Sequence, residues 1–389
     1  MAKKYLVLVG SLIIQACLGG VYAWSTFVPP LIADYGLSPV QTQLIFGTTI
    51  IVFTVAMIFA GRAQSRTGPR PVAAAGGLMF GAGYAYAAFS GGGFAHILLG
   101  IGVLSGIGIG MGYVCPLATC VKWFPEHKGL VTGVSVAAFG CGAIVLSSMA
   151  EHILARGIDV LAVFGWIAAL YTVLIIAGAM LLDVPESTGG AEQQAIPAGV
   201  FRSRPFWTLC AGMFCGTFAG LMVIGNLKPI GLSIGIDPLQ ATMAIGAFAI
   251  GNGLGRIVWG WVLDRAGVVA IPLSLAVLTV AVIALNLVPG MNAGFVAAAF
   301  CIGFGFGSCF VVYAAHLGTL YGPEAVARVY PLVFLAYGFS GIAGPTAGGM
   351  LFELTGRYFV SIGTAAAVSC AGAVVLAIYA AGQRKKKSA

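Results

Sequence analysis

The chain has 389 residues, of which 60% are hydrophobic and 8% charged, with a formal net charge of +8. A soluble globular chain carries about 25% charged residues, so the composition excludes the soluble classes and indicates a polytopic membrane protein. The basic excess is dispersed over short loops and the C-terminal tail instead of forming a patch, which argues against a nucleic-acid partner.

In chain order, twelve apolar stretches are long enough to cross a bilayer: 5–32, 41–63, 71–90, 94–121, 128–151, 160–182, 205–232, 238–263, 269–288, 294–320, 327–352 and 358–381. The opening Met-Ala-Lys-Lys runs straight into a full-length span and reads as the start of the first membrane helix, not as a cleaved signal. The polar stretch 183–204, with Asp183, Glu186, Glu192, Arg202 and Arg204, is the longest connection. It predicts an all-α membrane protein with a six-helix bundle over 1–182, a cytoplasmic linker over 183–204, and a second six-helix bundle with a short basic tail over 205–389. Fifteen of the 19 Lys and Arg fall in loops on one side and three on the other. The positive-inside bias therefore predicts cytoplasmic termini and a place in the cell's inner (cytoplasmic) membrane. Nine cysteines fall inside predicted spans without a Cys-x-x-Cys pair. No disulfide framework, metal site or cofactor is expected from them.

The remaining cation, Arg256, lies within span eight, in Ile250-Gly-Asn-Gly-Leu-Gly-Arg-Ile-Val-Trp-Gly-Trp-Val-Leu-Asp-Arg265. At ~1.5 Å per residue it is roughly 12 Å from the helix end marked by Asp264, near the middle of a ~30 Å hydrocarbon core. An arginine at that depth costs from ~3 to more than 10 kcal/mol, so it is expected to face a pathway. Its planar fork suits a carboxylate. The predicted span interiors hold no Asp or Glu to pair with it, which favours a substrate over a structural partner. Asn252, one turn earlier, shares its face.

The two halves repeat. Gly61-Arg-Ala-Gln-Ser-Arg-Thr-Gly68 ends span two and Gly260-Trp-Val-Leu-Asp-Arg-Ala-Gly267 ends span eight, 199 residues apart. Parallel repeats of this kind mark one class of secondary transporter. The motif resembles the signature loops of the major facilitator superfamily, which run Gly-x-x-x-Asp-Arg-x-Gly. The second copy keeps Asp264 and Arg265; the first carries Arg66 but has Ser65 where the acid is expected. The resemblance implies a gating role for Arg66, Asp264 and Arg265, set against a plain turn with positive-inside charge. The stretch Lys122-Trp-Phe-Pro-Glu-His-Lys-Gly-Leu-Val-Thr-Gly133, with Ala138-Phe-Gly-Cys-Gly142 and Gly68-Pro-Arg70, is similar to the branch that holds oxalate:formate antiporters and monocarboxylate transporters.

That resemblance implies a monomeric carrier in which aromatic side chains surround a carboxylate anchor. Tyr22, Tyr113, Phe139, Phe310 and Tyr337 match the aromatic positions and Arg256 the anchor. Oxalate:formate antiporters carry a lysine where this chain has Tyr337, so a single fixed charge favours a monoanion. Animal-type monocarboxylate transporters carry Asp where this chain has Asn252, which cannot titrate. His316 in span ten is the remaining proton-coupling candidate, set against a packing role. Asn226 and Lys228, near the outer end of span seven, either guide anions inward or sit at the interface with the lysine snorkelling outward, and the interfacial reading is preferred. Gly102, Gly106 and Gly110, like Gly303 and Gly307, form small-residue steps. They are expected to lie in a moving contact between the halves, so that Gly106→Leu would slow transport without blocking insertion.

Taken together, the expected function is secondary transport of small monocarboxylates of the lactate and pyruvate type, by alternating access and proton symport. Oxalate:formate exchange is the alternative, and a non-transporting membrane sensor a weaker one. No nucleophile–base set, paired acids or metal cluster within the spans suggests an enzyme.

Overall fold

Lipid offers backbone amides no hydrogen-bond partners, so a spanning segment must satisfy them internally. In the computed structural model, which describes residues 2–126, 128–185 and 199–388, every regular element is helical. Described side chains exclude 2, 128–130, 132, 133, 136, 323–328 and 385–388. The chain divides into two compact units, Met1–Ala191 and Glu192–Ala389. Residues 186–198, most of the expected 183–204 linker, lie outside the described residues, as do half of the side chains of the Lys122–Gly133 motif.

In the first unit, α1 (Ala2–Gly19) continues through a 3-10 stretch, Gly20–Thr26, into α2 (Val28–Tyr35). Helices α3 (Pro39–Thr67) and α4 (Pro69–Ala88) follow. Next, α5 (Phe94–Ile97) passes through a π-helical stretch, Leu98–Ser105, into α6 (Gly106–Trp123). Helices α7 (Lys128–Leu154) and α8 (Val160–Leu181) close the unit. The second unit comprises α9 (Arg204–Ser233), α10 (Pro238–Ala266), α11 (Ala270–Leu285), α12 (Asn292–Ser308), α13 (Val312–Tyr321), α14 (Pro323–Thr355) and α15 (Tyr358–Ser388).

Nine described stretches are long and apolar enough to cross a membrane, and one of them, Pro238–Leu285, contains expected spans eight and nine together. The other two expected spans are the helices α4 and α14.

Local chemistry sets the helix ends. Ser38 and Gln41 form a reciprocal capping box at the start of α3, and Asp159 Oδ1 accepts from Leu161 N at the start of α8. The final glycine of each repeat motif, Gly68 and Gly267, has positive φ (86° and 59°), a conformation that L side chains adopt only under strain. That explains why both copies of the motif finish on glycine.

Packing inside each unit runs on glycine. In the second unit, Gly251 and Gly255 of α10 interlock with Gly303 and Gly307 of α12. A Cβ at these four positions would strike Phe300 O, Phe304 O, Phe248 O and Asn252 O respectively. In the first unit, Gly19 abuts Phe139 O and Gly142 abuts Ala16 O, drawing α1 and α7 together. These contacts correct the expectation for Gly106. A Cβ there would lie 3.1 Å from Thr49 O and Val52 Cβ, and the matching atoms for Gly110 belong to Phe53, Ala56 and Met57. The nearest atoms at these glycine steps belong to helices of the same unit.

The end of α8 is fastened to three other helices of its unit. Asp183 pairs with Lys3 ahead of it and lies 3.6 Å from Arg70 Nη2. Its carbonyl accepts Trp123 Nε1 at 2.6 Å, and Leu182 O accepts Arg70 Nε. The Lys3 ammonium holds the Asp183 carboxyl below the usual carboxylate range.

Candidate functional site

The chemistry of the second unit gathers around Arg256. The i, i+4 spacing places Asn252 and Arg256 on one face of α10, and Arg256 Nε donates to Asn252 Oδ1 at 3.2 Å. Guanidinium nitrogens only donate, so this bond orients the amide with its oxygen toward the arginine. Asn252 is 4% exposed. The Arg256 guanidinium carbon lies 4.3 Å from the centroid of the Phe310 ring, a cation–π contact that covers one face of the fork. The approach depends on Gly307, whose missing side chain lets α12 reach the backbone of Asn252 and Arg256.

Phe310 sits in a turn, Cys309–Val311, that interrupts span ten between α12 and α13. There the ladder shortens: the amides of Cys309, Phe310 and Val311 donate three residues back, to Phe306 O, Gly307 O and Ser308 O. The carbonyl of Phe310 accepts the Tyr330 hydroxyl at 3.1 Å. The Phe310 ring meets Phe306 (5.1 Å), Tyr337 (5.4 Å) and Phe334 (6.0 Å), and Phe334 meets Tyr337 at 4.9 Å. No described carboxylate lies within ion-pair distance of Arg256, and its two terminal amino groups make no hydrogen bond to a described residue. One edge of the fork is held by Asn252 and one face by Phe310, and the edge formed by the two terminal amino groups has the geometry to meet a carboxylate through two parallel bonds.

The first unit carries an aromatic cluster of its own. Tyr22, in the 3-10 stretch, meets Phe139 of α7 at 5.8 Å; Phe139 meets Tyr113 of α6 at 5.2 Å; and Tyr113 meets Phe53 of α3 at 5.3 Å. Gln15, fully buried in α1, donates to Tyr113 O at 3.4 Å.

Of the residues expected from the sequence, Arg256, Asn252, Phe310 and Tyr337 come together in the second unit, and Tyr22, Tyr113 and Phe139 in the first. His316 stands apart from the Arg256 group: Nε2 is 3.0 Å from Tyr379 Oη and Nδ1 is 3.2 Å from Thr319 Oγ1. Tyr313 is fully buried against Gly212, and its hydroxyl has no hydrogen-bond partner among the described residues. Arg66 and Asp264 are exposed, and Arg265 lies over the Trp261 ring at 3.7 Å. Asn226 and Lys228 are only 1% and 6% exposed, so the expected snorkelling lysine is instead buried. Phe53, Phe334, Tyr330 and Gln15 were not singled out by the sequence. Only the last had a local signal, a buried amide within an apolar helix.

Comparison with known proteins agrees with this architecture. Residues 10–229 and 209–389 match the Major Facilitator Superfamily. The uncharacterized MFS-type transporter YhjX of Escherichia coli is 30% identical over 87% of this chain and 86% of its own length. The oxalate:formate antiporter of Oxalobacter formigenes is 24% identical, with 88% and 84% covered, and mouse monocarboxylate transporter 11 is 26% identical, with 86% and 77% covered. A solved bacterial homologue of the human lysosomal transporter Spinster shares the fold, with a TM-score of 0.70 at 16% identity over 97% of this chain and 95% of that one. With nearly its whole length matched and transporters among its relatives, this multi-pass membrane chain belongs to the major facilitator superfamily, and is a transporter, not an enzyme.

Proposed function

We propose that this transporter moves small monocarboxylates of the L-lactate and pyruvate type by alternating access, as a proton symporter, with Arg256 binding the substrate carboxylate. The observation that carries this reading is the half-buried guanidinium with its Nε edge held by Asn252, its face on Phe310, and no described carboxylate to neutralise it. A carboxylate meeting the free edge replaces lost hydration with two charge-assisted bonds. The aromatic rings beside it exclude water and strengthen that attraction. One fixed cation balances one carboxylate; a dicarboxylate would bring a second charge that neither Tyr337 nor Asn252 compensates. The relatives named as monocarboxylate and oxalate:formate transporters support a small organic acid as cargo. Arginine stays charged throughout and Asn252 does not titrate, so the proton travels with the substrate or on another group. The excess of cations in one set of loops supports cytoplasmic termini in the inner membrane.

The test is uptake of labelled L-lactate by proteoliposomes, with and without an imposed pH gradient. An acidic exterior accelerates uptake, and Arg256→Ala and Arg256→Lys abolish it at unchanged protein level. Full activity in either variant removes Arg256 from the mechanism, and indifference to the gradient removes the proton. Liposomes loaded with formate and offered oxalate outside test the exchanger reading, which rapid counterflow would favour.

A further inference from the structure

The ring beneath Arg256 belongs to a residue outside any regular helix, so something must hold it in place. Phe310 lies within the Cys309–Val311 turn; Val311 O still accepts from Ala315 N, four residues on, whereas no backbone amide among the described residues donates to Phe310 O. In an apolar surrounding, a carbonyl left without a donor is expensive, and the turn persists only if another group serves it. That group is the phenol of Tyr330 on α14, which donates to Phe310 O at 3.1 Å. The Tyr330 ring continues the same aromatic group, 5.6 Å from Phe334, which in turn meets Phe310 and Tyr337. One hydroxyl thus ties α14 to the backbone of the residue whose ring supports the guanidinium.

We infer that Tyr330 is a positioning residue: by bonding Phe310 O it fixes the turn in span ten and sets the orientation in which Arg256 meets its ligand. This rests on the carboxylate-binding reading of Arg256. The phenol acts through Phe310 and needs no contact with substrate. Tyr330→Phe removes the hydroxyl and keeps the ring. The freed carbonyl turns toward another donor, the Phe310 ring shifts, and the guanidinium loses its fixed plane.

The experiment is a double-mutant cycle in proteoliposomes. Tyr330→Phe raises KM for L-lactate about tenfold while Vmax holds, since misplacing a positioning group by about 1 Å costs up to about 100-fold. With Phe310→Ala already present, adding Tyr330→Phe changes nothing further. An unchanged KM, or the same loss in both backgrounds, overturns the assignment. A readout that needs no substrate separates the two readings. The emission of Phe310→Trp is compared with and without Tyr330→Phe, so that the native tryptophans cancel in the difference. A shift to longer wavelength supports positioning even in a carrier that moves no lactate, and coincident spectra overturn it even in one that does.

Discussion

The two units are copies of one plan that differ in where they hold charge. Counting back 199 residues, the repeat spacing, Arg256 corresponds to Met57 and Asn252 to Phe53. The first unit therefore has an apolar interior at the positions where the second has its cation and orienting amide. Its strongest described polar cluster lies instead at the end of α8, where Lys3 and Arg70 meet Asp183. Helix irregularities differ in the same way. Span one turns 3-10 over Gly20–Thr26 while its counterpart α9 runs unbroken from Arg204 to Ser233. Span four passes through a π-helical stretch, and its counterpart, span ten, breaks at Cys309–Val311. The repeat supplies the architecture, and the departures from it supply the chemistry.

The largest expected effect comes from erasing that difference. Arg256→Met writes the first unit's residue into the second. It lowers lactate uptake at least about a hundredfold at equal expression, in line with the 3–5 kcal/mol lost when one member of a desolvated charge pair is removed. Next comes packing, where the two units should behave alike. Gly303→Leu drives a side chain into Phe248 O and depletes folded protein from the membrane. Gly106→Leu does the same more mildly in the first unit, while Gly253→Leu, with open space around it, is tolerated in quantitative membrane blots. Equal expression of all three would break the packing account.

A finer test keeps the cation and changes its companion. Asn252→Asp gives Arg256 an internal counter-charge one turn away and raises KM for lactate roughly tenfold by competing with the substrate. The effect shrinks in acid as the new carboxyl protonates, which kinetics across pH would reveal. The smallest effect belongs to the first unit's own charges. Asp183→Asn costs about 0–1 kcal/mol, as surface pairs do. Because the Asp183 carboxyl titrates below its ordinary range, the stabilisation it brings is complete above that range and disappears as pH falls through the lowered value. Thermal unfolding of the native chain and of Asp183→Asn should therefore converge in strong acid.

Much of this was legible without coordinates, and the reason lies in lipid. Span length, the repeated loop motif and a lone deep arginine stand out because charge and turn glycines are rare in an apolar chain. The rings that complete the two aromatic clusters were harder to read. Phe53, Phe334 and Tyr330 are three among 24 Phe and 13 Tyr. Helix faces toward lipid and toward neighbours are both apolar, so periodicity does not tell which ring turns inward. The turn at Cys309–Val311 contains no Pro or Gly to announce it and becomes intelligible only beside Tyr330. The glycine steps were visible, but their partners were not, and so their role was assigned to motion instead of packing.

The fastening at Asp183 bears on how the protein is made. Lys3, Arg70 and Trp123 all precede Asp183 in the chain. A ribosome that has delivered Asp183 has thus already supplied every one of these partners, and the amino-terminal bundle can fasten this end while the second bundle is still being synthesised.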